Sequence, residues 1–195
     1  MKKYLKLWIT TPSRTASTYL QEIIEQNYHI GEIYKTHIAH ECPPDPENWN
    51  RIINVRHDKH AATMSMLIYH MEKPSKISLD EYLKALHAHY NYIIELPECP
   101  WNSSHIIYME DFVKNPSDLE NKFPHEWPKL HMQWQITNHE NFLSTRKLKD
   151  WCSNWSELFE IGQMVAKDGH YKGYQIVKDT KDPRFSNKRR PNIFW

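Results

Sequence analysis

Apolar and polar positions change period several times along the chain, and each change marks an expected element. Residues 4–10 alternate or run apolar and then meet Thr11-Pro12-Ser13, the pattern of a buried strand ending in a turn. From Thr15 the period is helical. Tyr19, Leu20, Ile23 and Ile24 form one stripe, and Gln21, Glu22, Glu25 and Gln26 the opposite face. A second extended piece covers Ile33 to Ile38, before the loop Glu41-Cys42-Pro43-Pro44-Asp45-Pro46. Arg51 to Arg56 reads as a third strand, running into a helix from about Lys59 to Met71. Ser78-Leu79-Asp80-Glu81 has the form of a capping box and opens a helix to about Leu96. His105 to Met109 is a fourth strand, and Asn115-Pro116 a helix start with proline at the first helical position. Two further helices are expected near 140–148 and 155–168, followed by a basic end.

Strands that alternate with helices in this way specify an α/β fold built on a mostly parallel sheet. No repeat or linker interrupts the order, so one domain over 1–195 is expected. Ligand sites of open parallel sheets lie beyond the carboxyl ends of the strands. That rule puts Ser13–Thr18, His37, Arg56 and Glu110–Asp111 on one rim.

Composition narrows the classes of function. Lys plus Arg number 25 and Asp plus Glu 24, a formal charge of +1, which argues against a nucleic-acid binder held by charge alone. Glycine appears 4 times, where average usage of roughly 7% gives about 14, so a glycine-rich phosphate loop is not expected. Histidine is abundant at 13, and tryptophan at 8. Cys42, Cys99 and Cys152 are an odd number with no CxxC pair, which points to a reducing compartment and to neither a disulfide framework nor a zinc knuckle. Lys6 breaks the apolar start, and no apolar run approaches the roughly 20 residues of a spanning helix. A cytoplasmic protein without secretory signal or membrane segment is therefore expected.

Four stretches carry chemistry. Ser13-Arg14-Thr15-Ala16-Ser17-Thr18 combines a cation and hydroxyls with a helix N-terminus, a combination that suits a phosphate or sulfate. It lacks the Gly-Lys pair of a Walker A loop. Lys35 and His37 fall on the same side of a strand end, one able to stabilise a leaving phosphate and the other to act as a base near neutral pH. Arg56 leaves a buried strand towards a hydroxyl-bearing helix and can grip a second phosphate. The cluster Arg146-Lys147-Leu148-Lys149-Asp150-Trp151 adds further cations.

In order and spacing these stretches resemble the sulfotransferases that use 3′-phosphoadenosine 5′-phosphosulfate (PAPS). The family's phosphosulfate loop, approximately P-[RK]-S-G-[ST]-T-W-L, is similar to Ser13 through Leu20 without a gap. Its K-T-H is reproduced as Lys35-Thr36-His37, and its R-N-x-K-D-x-A-x-S is echoed by Arg56-His57-Asp58-Lys59-His60-Ala61-Ala62-Thr63. Tyr108-Met109-Glu110-Asp111 stands for a Y-E-D, and Arg146 to Trp151 for a shortened R-K-G-x-x-G-D-W. Ala16 takes the place of the usual loop glycine, as in some glycan 2-O-sulfotransferases, and Met64 that of a phosphate-binding serine, with Ser65 one step later and Thr63 one earlier.

The resemblance implies a three-layer P-loop-type fold with helices on both faces of the sheet, and in-line sulfuryl transfer without a metal. Arg14, Thr15, Ala16, Ser17 and Thr18 would hold the 5′-phosphosulfate, and Tyr19 would stand for the family residue that stacks on adenine. Arg56, Ser65, Arg146 and Lys147 would meet the 3′-phosphate. His37 would deprotonate the acceptor hydroxyl, with Lys35 and Arg14 stabilising charge. The implied partner is a small-molecule or glycan acceptor with a hydroxyl or amine, and neither nucleic acid nor membrane.

Other readings stay open at this level. A nucleotide or small-molecule kinase shares the fold but needs a Gly-Lys-Ser/Thr loop, which is absent. A catalytically degenerate nucleotide-binding protein accounts for Ala16 and Met64 as decay. His37-x-x-His40, His57-x-x-His60 and His87-x-His89 do not form a recognised metal-ligand pattern. Trp49, Trp101, Trp127, Trp134 and Trp155 read as packing residues, and Lys188-Arg189-Arg190 as a solvated end or a lid.

Overall fold

A computed structural model of the chain describes residues 4–69, 76–97, 104–130 and 149–178. These residues divide into two compact units, one drawn from 1–57 and 95–140, the other from 58–94 and 141–195. The fold is α/β.

The first unit contains strands β1 (Leu5–Thr10), β2 (Ile30–Thr36), β3 (Asn50–Val55) and β4 (His105–Tyr108), all parallel, in the order β2-β1-β3-β4. β1 pairs Thr10 with Thr36 on one side and with Ile53 on the other. β3 in turn pairs Val55 with Tyr108, so the carboxyl ends of the four strands lie at one rim. The inner strands are almost wholly buried, as their continuous apolar runs require. Helix α1 (Ser17–Asn27) follows β1 directly, and its stripe of Leu20, Ile23 and Ile24 packs with Leu7, Ile9, Ile52 and Ile107 in one core. Each such side chain contributes about 1.5–3 kcal/mol on burial, so the strand-end loop between β1 and α1 is anchored at both ends.

The second unit holds α2 (Lys59–Tyr69), α3 (Leu79–Asn91), a later helix α5 (Trp155–Asp168) and a hairpin of β5 (His170–Tyr171) and β6 (Tyr174–Gln175). The expected capping box is formed: the Glu81 amide donates to Ser78 Oγ at 3.3 Å, and Glu81 accepts from the Ser78 amide. Gly162 lets α5 approach closely, because a Cβ there would lie 2.5 Å from the Tyr82 hydroxyl and 3.0 Å from His60 Nδ1.

Several boundaries differ from the sequence expectation. β2 starts at Ile30, because an edge strand pairs through its backbone and tolerates the exposed Gly31 and Glu32. It stops at Thr36, whose hydroxyl accepts from the Ile38 amide at 3.0 Å and donates to Glu41 at 2.6 Å, turning the chain. α3 ends at Asn91, not Leu96. There the Asn91 amide group donates back to His87 O and across to Ile176 O, while its Oδ1 accepts from the Lys178 amide. After Asn115 the chain forms a 3-10 helix, Pro116–Asn121, and a single turn α4 (Met109–Phe112) precedes it. The helix expected near 140–148 lies outside the described residues.

Candidate functional site

The turn from β1 into α1 is tightly made. Arg14 and Ala16 both adopt left-handed backbone, with φ of 65° and 57°, a conformation that disfavours any residue with a Cβ. Ala16 is the N-cap and supplies no side-chain cap, and no acid occupies the first turn of α1. The positive dipole end of this 11-residue helix therefore meets no carboxylate from its own first turn. Thr15 between the two strained residues is fully buried. Its hydroxyl donates to Pro12 O at 2.9 Å and shares a short hydrogen bond with Thr11 Oγ1, so it is turned inward. Ser17 is buried, whereas Thr18 is exposed.

Two groups from the end of β2 reach this loop. Lys35 Nζ donates to Thr18 Oγ1 at 3.3 Å, which sets a cation at the helix start. His37 Nδ1 lies 3.0 Å from Thr11 O. A carbonyl oxygen only accepts, so Nδ1 carries the proton, and in the neutral ring Nε2 is left with its lone pair. Thr11 is itself held, its amide donating to Thr36 O at 3.1 Å. The β1–β2 ladder thus runs one residue past the strands and fixes the point from which His37 is oriented. Arg14, Thr15, Ala16, Ser17, Thr18, Lys35 and His37 are brought together in this way.

A second cluster lies on the same rim, at the ends of β3 and β4. Arg56 Nε is 3.7 Å from Glu110 Oε1, with the side chains 14% and 5% exposed. Both Glu110 oxygens accept from the His57 amide at 3.0 Å. The His57 ring stacks on Tyr108, centroids 3.7 Å apart and planes 6° from parallel. Burial first, then Asp111 and Glu110, pushes the Tyr108 hydroxyl up from its ordinary value. Glu110 fixes Arg56 at the strand end while partly neutralising it.

Of the remaining expected residues, some are buried in the cores and others lie outside the described residues. Tyr19 is 4% exposed and its ring packs against Phe112, 6.1 Å between centroids, as part of the core. Ser65 is buried in α2 of the second unit, beside the fully buried Met64 of that unit's core. Arg146 and Lys147, and with them Trp101, Trp134 and Lys188-Arg189-Arg190, lie outside the described residues. Trp49, Trp127 and Trp155 are buried packing groups. Among the described residues, no three of His, Cys, Asp or Glu are grouped as a metal would require, and no helix is long and apolar enough to cross a membrane.

Three contributors were not singled out from the sequence: Thr11, Glu41 and Asn54. Asn54 is fully buried on β3, and its Nδ2 donates to Thr15 O at 2.8 Å. The signal that marks it is an amide side chain inside the run Ile52-Ile53-Asn54-Val55, where packing alone favours an apolar residue. Thr11 and Glu41 act through backbone and loop contacts that leave no pattern in the sequence.

No known family model matches this chain, and no curated protein or solved structure matches it either.

Proposed function

We propose that the protein transfers the sulfuryl group of PAPS to a hydroxyl or amine of a small-molecule or glycan acceptor, on a P-loop-type fold and in the cytoplasm. One observation carries the reading: Lys35 and His37, from the end of β2, both bond to the loop and turn that lead into α1. A cation, an oriented imidazole and a helix N-terminus without acids are the groups that transfer of an anionic ester needs. They also fit the ligand, because its 5′ end is anionic and the loop offers it hydroxyl, N–H and ammonium groups.

PAPS supplies an electrophilic sulfur on a phosphate leaving group. His37 Nε2 takes the acceptor proton, since Nδ1 is committed to Thr11 O. Lys35 meets charge that develops on the departing phosphate, and Arg14, Ser17 and Thr18 orient the 5′ end. Thr15 contributes through its backbone, its hydroxyl being bonded within the loop. Arg56 is assigned to the 3′-phosphate, as the resemblance implies. The sulfuryl group carries less charge than a phosphoryl group, so positioned cations suffice for its electrostatics.

Isothermal titration with 3′-phosphoadenosine 5′-phosphate, set against ATP with Mg²⁺, tests the reading. Saturable binding of the bisphosphate nucleotide in preference to ATP is expected, and preference for ATP with Mg²⁺ overturns it in favour of a kinase. An acceptor screen with radiolabelled PAPS then identifies the class of hydroxyl or amine that is modified.

A further inference from the structure

We propose that Asn54 is a positioning residue that holds the left-handed turn of residues 13–18 in its anion-ready form, without touching the ligand; the identity of that ligand rests on the sulfuryl-transfer reading. Asn54 is fully buried in β3 between Ile53 and Val55, a place where an amide side chain is unfavourable unless it is bonded. Its bond goes to the loop: Nδ2 donates to Thr15 O at 2.8 Å and approaches Thr15 Oγ1 at 3.4 Å. Thr15 is the residue between Arg14 and Ala16, the two left-handed positions. A strained turn persists only where its surroundings over-determine it. Here Pro12 O and Thr11 hold the Thr15 side chain while Asn54 holds its carbonyl.

The orientation of the amide is fixed by chemistry, since a carbonyl accepts only and Nδ2 must face it. The consequence is that Asn54 Oδ1 has no hydrogen-bond partner among the described residues. The side chain therefore satisfies the loop while leaving its own oxygen buried and unpaired. A residue selected for the core alone would be apolar at this point.

Opposite effects on loop and core follow for Asn54→Leu, which has the same number and branching of side-chain heavy atoms and carries no polar atom. The denaturation midpoint should hold or rise. In hydrogen exchange, peptides covering residues 13–18 should exchange at least tenfold faster, with the strand amides of Ile9 and Ile52 unchanged. Affinity for 3′-phosphoadenosine 5′-phosphate should fall tenfold or more. Adding Ala16→Gly, which makes the left-handed turn easy for the chain, should recover part of the loop protection and part of the affinity, a coupling read by the double-mutant cycle. Asn54→Ala serves if leucine overpacks the site.

Unchanged loop exchange in the Asn54 variants, equal loosening of loop and strands, or no recovery with Ala16→Gly overturns the proposal. If the unaltered protein does not bind the bisphosphate nucleotide, the sulfuryl-transfer reading fails. The exchange measurements still decide the role of Asn54, because they need no ligand.

Discussion

Ala16 at φ 57° carries a methyl group where glycine is at ease. Replacing it should relieve that strain at some cost in unfolded-chain entropy, and the strain outweighs it at a left-handed position. Ala16→Gly is expected to stabilise the protein by about 0.5–1 kcal/mol, read as a higher urea midpoint with unchanged slope. The same residue shows how a left-handed turn forms without glycine. Left-handed turns are imposed here by Thr11, Pro12, Thr15 and Asn54, whose bonds do not depend on a missing side chain. His37 is the other decisive residue. Its Nδ1 bond to Thr11 O leaves Nε2 with the lone pair of the neutral ring, so under the proposed sulfuryl transfer His37→Ala should lower turnover about 10²–10⁴-fold with nucleotide affinity nearly intact. A matching loss of affinity would instead make His37 a binding residue.

At the scale of elements, most strands and helices were legible because their apolar periods match what they bury, as α1 does with Leu20, Ile23 and Ile24. Their ends were not. Thr36, Asn91 and the segment from Pro116 end or reshape elements through side-chain and local bonds whose partners are loops, and those partners carry no period. The β5–β6 hairpin was also missed, since each strand has two residues and its turn rests on Lys172 and Gly173 at positive φ. Packing of α5 offers a test. Gly162→Ala pushes a methyl into the Tyr82 hydroxyl and His60 Nδ1, which are hydrogen-bonded at 2.8 Å. The second unit is then expected to lose about 1–3 kcal/mol, seen as a lower melting temperature and a disturbed His60 ring environment in proton NMR.

For the whole molecule, stability should fall at both ends of the pH range. Burial, opposed by Glu126, lowers His105 below its ordinary 6.5. The unfolded chain then binds the proton first, so the stability present above 6.5 is lost as pH falls towards the folded value. Burial and then Glu120 raise the Tyr28 hydroxyl to about 12. The unfolded tyrosine ionises near 10, so stability held below that value is lost as pH rises towards 12. Tyr28 Oη is buried with no hydrogen-bond partner among the described residues. Tyr28→Phe should therefore hold or raise stability at neutral pH and flatten the alkaline arm, while His105→Gln flattens the acid arm. Urea midpoints across pH check both, and an alkaline arm unchanged in Tyr28→Phe removes Tyr28 as its cause.

The sequence by itself determined the α/β class, the four parallel strands and the cations, hydroxyls and histidine at their carboxyl ends, because periodicity and turn chemistry are local properties of the chain. Only the tertiary structure decided which of those groups meet. It brought Lys35 to Thr18 and gave His37 its tautomer. It buried Tyr19 in the core and assigned Met64 to packing, and it set Asn54 beneath the loop. Those outcomes depend on register between strands and on contacts between residues far apart in the chain, which no local pattern encodes.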